Sequence, residues 1–279
     1  MSCMSGATHT PFESGASMNV FKREMRAGRK VFLFWMIGML LLCFEVIMEF
    51  SSYATGGAMD ELLATFPRVV LTVMGVAGMN MATPAGYTAI LFYYVLICAT
   101  VYAVLLGAGI VSREWIDRTH EFLFTRPRTR ARILWEKWMA AVSYLALFSL
   151  SCGLFAYAAV RTIDIGEDAT GVILAGTFAV FLIGLLFAAL AAFLASIARR
   201  PDKGGLYGNL AFLAAFVLGT VYNMLEHPGA LRLFSPLNYF TSSDLAAARI
   251  APLYALLALT LTALFLFGAF RRFARRDLV

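Results

Sequence analysis

Six apolar runs, at residues 31–50, 88–111, 133–160, 172–198, 205–225 and 251–270, leave this chain few ways to fold. A hydrocarbon layer about 30 Å thick takes about 20 helical residues to cross, and each backbone amide inside it must be satisfied within the segment. Every run meets that length. Apolar residues make up 61% of the chain and charged ones 14%, a balance outside the range of soluble domains. The sequence therefore predicts an all-α, polytopic membrane protein: six transmembrane helices in one domain over residues 18–279.

The basic residues sit at alternate ends of these runs. Five Lys or Arg lie in 22–30, seven between Arg113 and Lys137, three in 199–203 and four in 271–276. The other side carries only Arg68, Arg161, Arg232 and Arg249. Nineteen against four predicts that both termini are cytoplasmic. The net charge of +6 follows from this arrangement, which orients helices and meets anionic lipid; it does not imply nucleic acid. Residues 1–17 are small and polar without periodicity and are expected to be disordered, with no basic start or apolar core of a signal peptide. Met18 reads as a fresh beginning. From there to Lys30, Val20, Phe21, Met25 and the stems of Lys22 and Arg26 suit an amphipathic elbow helix at the inner interface.

Few polar groups interrupt the runs. Glu45 and Glu49, four apart, share one face of the first span. Counting ~1.5 Å per residue from Lys30, Glu45 sits ~22 Å up, where an ionised carboxylate costs several kcal/mol unless paired or hydrated. Two readings stand for it: a hydrated or hydrogen-bonded group inside the bundle near its outer mouth, or a contact for substrate or ion. Tyr93, Tyr94, Tyr102, Asn209 and Asn223 are expected to face the bundle, and Glu45, Glu49, Tyr94 and Asn209 are the candidate substrate-pathway residues. Residues 51–87, broken by Pro67, read as an amphipathic segment resting in the outer leaflet; a second outer segment, 226–250, precedes the last span. Trp135 and Trp138 are expected to anchor the third span at the interface.

Catalytic and nucleotide motifs are missing. The chain has no G-x-x-x-x-G-K-[ST] loop, no H-E-x-x-H pair, and its histidines, His9, His120 and His227, lie in separate regions. Cys43, Cys98 and Cys152 fall inside apolar runs and Cys3 in the tail, with no metal or redox spacing, so neither a disulfide nor a metal site is expected. Met59, Met74, Met79 and Met81 suit apolar packing better than a soft metal, having no Cys or His beside them. No residue is assigned a catalytic role, and the chain is expected to be neither an enzyme nor a holder of any cofactor.

One polar stretch stands apart, Ser112–Arg132, reading SREWIDRTHEFLFTRPRTRAR. Its six arginines, Arg113, Arg118, Arg126, Arg128, Arg130 and Arg132, exceed what anchoring a loop needs. Phe122-Leu123-Phe124 sits among them, and three large apolar residues in a row belong against lipid, the bundle or a partner protein. The plain alternative is a positive-inside anchor with no partner. The wording Glu114, Thr119, Glu121, Leu123, Thr125, Arg126, Pro127 and Arg130, with Thr83-Pro84-Ala85-Gly86-Tyr87 upstream and Lys137 downstream, resembles the first cytoplasmic loop of type-2 ABC exporter permeases. Two departures are Trp115, where the family usually has a second acid, and Arg118, where it has glycine. Without that glycine the second span is free to run on through Arg118.

The resemblance implies a permease that a separate ABC ATPase powers, with ATP and Mg bound on that partner. It implies a coupling helix formed by Glu114, Asp117, Arg118, Thr119, Glu121, Phe122, Leu123, Phe124, Arg126, Pro127 and Arg130. It further implies a homodimer above two ATPase subunits, multi-pass in a bacterial cytoplasmic membrane, exporting a substrate that the sequence does not identify; similarity to peptide-resistance permeases points to a hydrophobic or amphipathic one. The residues alone leave two other classes open: a membrane anchor or sensor subunit that moves nothing, and a carrier or channel working by itself.

Overall fold

The computed structural model describes residues 12–50, 65–116, 130–163, 169–225 and 229–274. Among them run α1 (Phe12–Met48), α2 (Arg68–Val73), α3 (Pro84–Ile116), α4 (Arg130–Ile163), α5 (Thr170–Ile197), α6 (Gly204–Met224), α7 (Ser242–Ala246) and α8 (Pro252–Ala274). Short 3-10 turns at Pro201–Lys203, Gly229–Phe234 and Pro236–Asn238 join them, and the described residues contain no strand. Among the described residues six helices are long and apolar enough to cross a membrane, over Val20–Met48, Pro84–Arg113, Ala131–Thr162, Thr170–Ile197, Gly204–Met224 and Pro252–Phe273. The fold is all-α, as the apolar runs predict.

The largest boundary difference lies at the start. The helix begins at Phe12, inside the stretch expected to be disordered, and continues without a break through 18–30 into the first span. Between Met18 and Val31 the residues are mostly good helix formers and include no proline, so nothing in the sequence forces a separate elbow. Val31–Met48 alone measures ~27 Å at 1.5 Å per residue, so the basic stretch before it is not needed to span the bilayer.

In lipid, helices gain little by hiding apolar surface from one another, and close packing of small residues holds them together instead. α5 is the axis of this bundle. Its Ala188, Ala189 and Ala191 are fully buried. α3 comes so close that a side chain at Gly107 would begin 2.0 Å from the Ala188 carbonyl oxygen. α4 packs on the next face of α5, and α6 fits into the groove of α3 and α5, with Gly208 against Val104 and Ala191. α8 lies on α5 through Gly268 and Phe265 against Phe193. α1 sits outermost, on α4, and adds Trp35 to a ring cluster in which Tyr102 stacks on Phe148 with centroids 4.9 Å apart. Such pairs contribute about 0.5–1.5 kcal/mol beyond their buried area.

Contacts at the two ends show that the long helices alternate in direction. At one end Glu24 of α1 meets Arg113 of α3, Gly204 of α6 meets Ala195 of α5, and Trp135 of α4 meets Phe270 of α8. At the other, Phe50 packs on Tyr87, Gly171 approaches Ala248 and Tyr239 stacks on Tyr254. Arg113, Arg132, Lys137, Arg199, Arg200, Arg271 and Arg272 all fall at the first, basic end. Trp135 is exposed there, as an anchor would be, whereas Trp138 is buried in the bundle; the two stand about 60° apart around α4, and the edge of its packed face falls between them.

Candidate functional site

α3 and α4 deliver their basic ends to the two sides of segment 117–129. Arg113 closes α3, where a cation suits the helix dipole, and Lys137 stands two turns into α4. Both are held. The Arg113 guanidinium donates from Nη1 to Glu24 Oε2 of α1 at 2.7 Å, and Arg23 reaches the other oxygen, Oε1, at 3.1 Å. Lys137, only 4% exposed, donates from Nζ to the Ile110 carbonyl of α3 at 3.0 Å. Tyr144, two turns deeper on α4, donates its hydroxyl to the Met25 carbonyl of α1. Gly28 allows that approach, since a Cβ there would lie 2.7 Å from the Tyr144 ring. Arg132 and Glu136 pair along α4 at 3.7 Å.

The result is a buried polar junction of three helices from separate parts of the chain. Glu24 is 9% exposed, and a buried carboxylate is tolerated only when its oxygens are paired. Here each oxygen has an arginine. The junction therefore fixes the exit of α3 relative to the entry of α4 and ties both to α1. A displacement of the α3 exit or the α4 entry at these residues then moves the three helices together or breaks charged hydrogen bonds.

Of the residues expected to form the coupling helix, Glu114 falls in the last turn of α3 and Arg130 is the first residue of α4. Asp117, Arg118, Thr119, Glu121, Phe122, Leu123, Phe124, Arg126 and Pro127 lie outside the described residues. α3 reaches Ile116, five residues past the expected end of its span.

The candidate pathway residues are not brought together inside the bundle. Glu45, Glu49 and Asn209 are exposed on the protomer. For Asn209 this departs from the expectation that it faces the bundle of its own protomer. α1 buries the line Met36, Met39, Cys43, Ile47 and Phe50, and Glu45, two residues after Cys43, is turned about 200° from that line. Asn209 follows Gly208, which is the residue of α6 that meets α3. Tyr102 is buried as expected. Tyr94 is half-buried and donates to the Met74 carbonyl at 2.9 Å, and Tyr93 donates to that of Val73 at 2.9 Å, so both pin the turn after α2 rather than line the bundle centre. Met81 is buried and Met79 packs against the core.

Sequence reading did not single out Glu24 or Tyr144. A usable signal existed for Glu24: it is the one acid among the five bases of residues 22–30. Its partner across 89 residues could not be read from spacing.

A family model described as ABC-2 family transporter protein matches residues 18–278. No curated protein matches the chain.

Proposed function

The chain belongs to the ABC-2 transporter family and is a membrane permease component of an ABC transporter, and from that premise we propose that segment 117–129 is where a separate ATPase subunit drives it. The observation that carries the reading is the three-helix junction. It makes the helices on both sides of the segment a single mechanical unit, which a docked subunit needs if its motion is to reach the membrane. The basic end then faces the cytoplasm, as the distribution of nineteen basic residues against four supports. Two such chains stand above two ATPase subunits in a bacterial cytoplasmic membrane. ATP binding closes the ATPase pair, the segment shifts, and the route between the two bundles changes its access in the exporting direction.

A route between bundles is lined by residues exposed on the single protomer. Glu45, Glu49 and Asn209 meet that condition, and Tyr94 holds the outer turn beside it. The cargo is hydrophobic or amphipathic, in keeping with the apolar surface these helices present.

Phe122, Leu123 and Phe124 supply the docking energy, since full burial of such side chains stabilises by ~1.5–3 kcal/mol each. The arginines around them contribute orientation and encounter rate, which salt screens. Replacing Phe122 and Phe124 with Ala is expected to weaken co-purification of the ATPase, or to leave its turnover unresponsive to cargo. Arg126→Gln with Arg128→Gln is expected to be milder and more salt-sensitive. The opposite ranking, with the Phe changes silent, would make the segment an electrostatic anchor.

A further inference from the structure

At the end opposite the junction, residues 229–250 fold back over the close of α6 and the opening of α3. Arg232 organises them. It donates from Nε to the Asn238 carbonyl at 3.0 Å, from Nη2 to the Tyr239 carbonyl at 3.1 Å and to the Asp244 carboxylate, and its guanidinium lies 4.2 Å over the Tyr254 ring. Thr241 donates to the same carboxylate at 2.7 Å, and the Asn238 amide donates to the Gly219 carbonyl of α6 at 2.9 Å. Tyr239 donates to the Leu233 carbonyl at 2.7 Å; burial, and then the neighbouring Tyr254, pushes its phenol up to about 12, so it remains a donor. Facing this segment is the turn after α2, where Gly75 at φ +74 admits the Tyr93 ring and the two tyrosines of α3 pin the backbone.

Between these two rigid walls lies a cavity of about 440 Å³, within the size range of small-molecule sites. Its chemistry is specific. Arg232 and Asp244 are the only charged residues among its described lining, and they pair, so the site has no net charge to offer an ion. Ser242, Ser243 and Asn223 line it, and each can both donate and accept. Tyr93 and Tyr222 add aromatic walls. On α6, Leu213, Val217 and Val221 recur every four residues and are all exposed, and Leu225, the exposed residue that caps the helix one turn on, carries the stripe to the cavity, which it lines.

We propose that this cavity receives the neutral, hydroxyl-rich headgroup of an amphiphile whose chains lie along the α6 stripe. Hydroxyl and amide groups that both donate and accept match vicinal hydroxyls, the closed ion pair disfavours charged headgroups, and the continuous apolar track selects a lipid over a free sugar. The stripe continues the α6 face of Asn209, so the assignment deepens the reading of an amphipathic cargo, while lipid retention tests it without ATP-driven transport.

The test uses the full chain in nanodiscs containing equal mole fractions of a monoglucosyl diacylglycerol and a phosphatidylglycerol of the same chains, with bound lipid counted by native mass spectrometry. The glucosyl lipid is expected to be retained preferentially, and Asn223→Leu with Ser243→Ala to cut that retention about tenfold, as loss of two hydrogen bonds implies, at unchanged thermal unfolding. Ser242→Trp, which fills the cavity, is expected to do the same. Methyl glucoside is expected to compete only weakly; competition as strong as the lipid's would overturn the lipid source. Equal retention of the two lipids, preference for the anionic one, or retention unmoved in both variants would overturn the assignment.

Discussion

Breaking the contact between Glu24 and Arg113 should loosen α1 and α3 together. The bond is short, 2.7 Å, but unevenly buried: the Glu24 side chain is 10% exposed and that of Arg113 35%. A hydrogen bond to a charged group contributes about 1.5–3 kcal/mol, and partial exposure of the guanidinium places this one near the lower end, at about 1–2 kcal/mol. The single changes differ in what they strand. Glu24→Ala leaves Arg113 with water to solvate it, whereas Arg113→Ala leaves a nearly buried carboxylate with only the exposed Arg23 beside it at 3.1 Å. Arg113→Ala should therefore be the more damaging. A double-mutant cycle separates the pair from these side effects. Equilibrium unfolding in mixed micelles, run on wild type, both single variants and the double, should give a coupling of about 1–2 kcal/mol, with the double losing less than the two singles together. Hydrogen exchange at the basic ends of α3 and α4 should accelerate in both singles, and the coupling should shrink with added salt. Additive losses, within the roughly 0.3–0.5 kcal/mol expected of independent sites, would refute the junction as an energetic unit.

Gly107→Val should abolish folding or lower its yield severely, because its Cβ meets the Ala188 carbonyl at 2.0 Å; Gly205→Ala, with nothing within 4 Å, should leave thermal unfolding unchanged. Glu45→Gln should keep stability within about 0.5 kcal/mol, as expected of an exposed position, while reducing cargo-stimulated ATP turnover of the assembled transporter. Unchanged turnover would remove Glu45 from the pathway. Tyr239→Phe should cost about 0.5–1.5 kcal/mol through the lost bond to Leu233. Because its phenol is raised from the ordinary 10.0 to about 12, the stability it contributes should be complete below pH 10.0 and lost as pH rises toward about 12; a loss near neutral pH in a thermal scan would contradict the burial.

The spans were legible because hydropathy and length alone decide which segments can cross lipid, and lipid demands that those segments be helical. Which face of each helix points inward was not. In soluble proteins polar residues mark the outside, but here both lipid and bundle are apolar, so Glu45 and Asn209 gave no usable signal, and only the alanines and glycines of α3, α5 and α6 carried packing information. The continuity of α1 was hidden for a related reason. Basic residues before a span look the same in a separate helix and in one continuous with the span. The junction combined both cases: Arg113 and Lys137 stood out as cations near the loop, while Glu24 and Tyr144, supplied by distant turns of α1 and α4, acquire their roles only through tertiary contact. Arg232 was visible as one of four basic residues on the sparsely charged side, yet its partner Asp244 is joined to it by folding rather than by helical spacing.

The most direct test of the central claim is ATP turnover measured in one lipid composition for the chain purified alone and for the chain co-purified with a P-loop ATPase. No turnover above a lipid blank is expected for the chain alone. In the complex, turnover is expected that cargo stimulates and that Phe122→Ala with Phe124→Ala uncouples. ATP hydrolysis or cargo movement that persists in the chain alone, after stringent removal of every other protein, would contradict it.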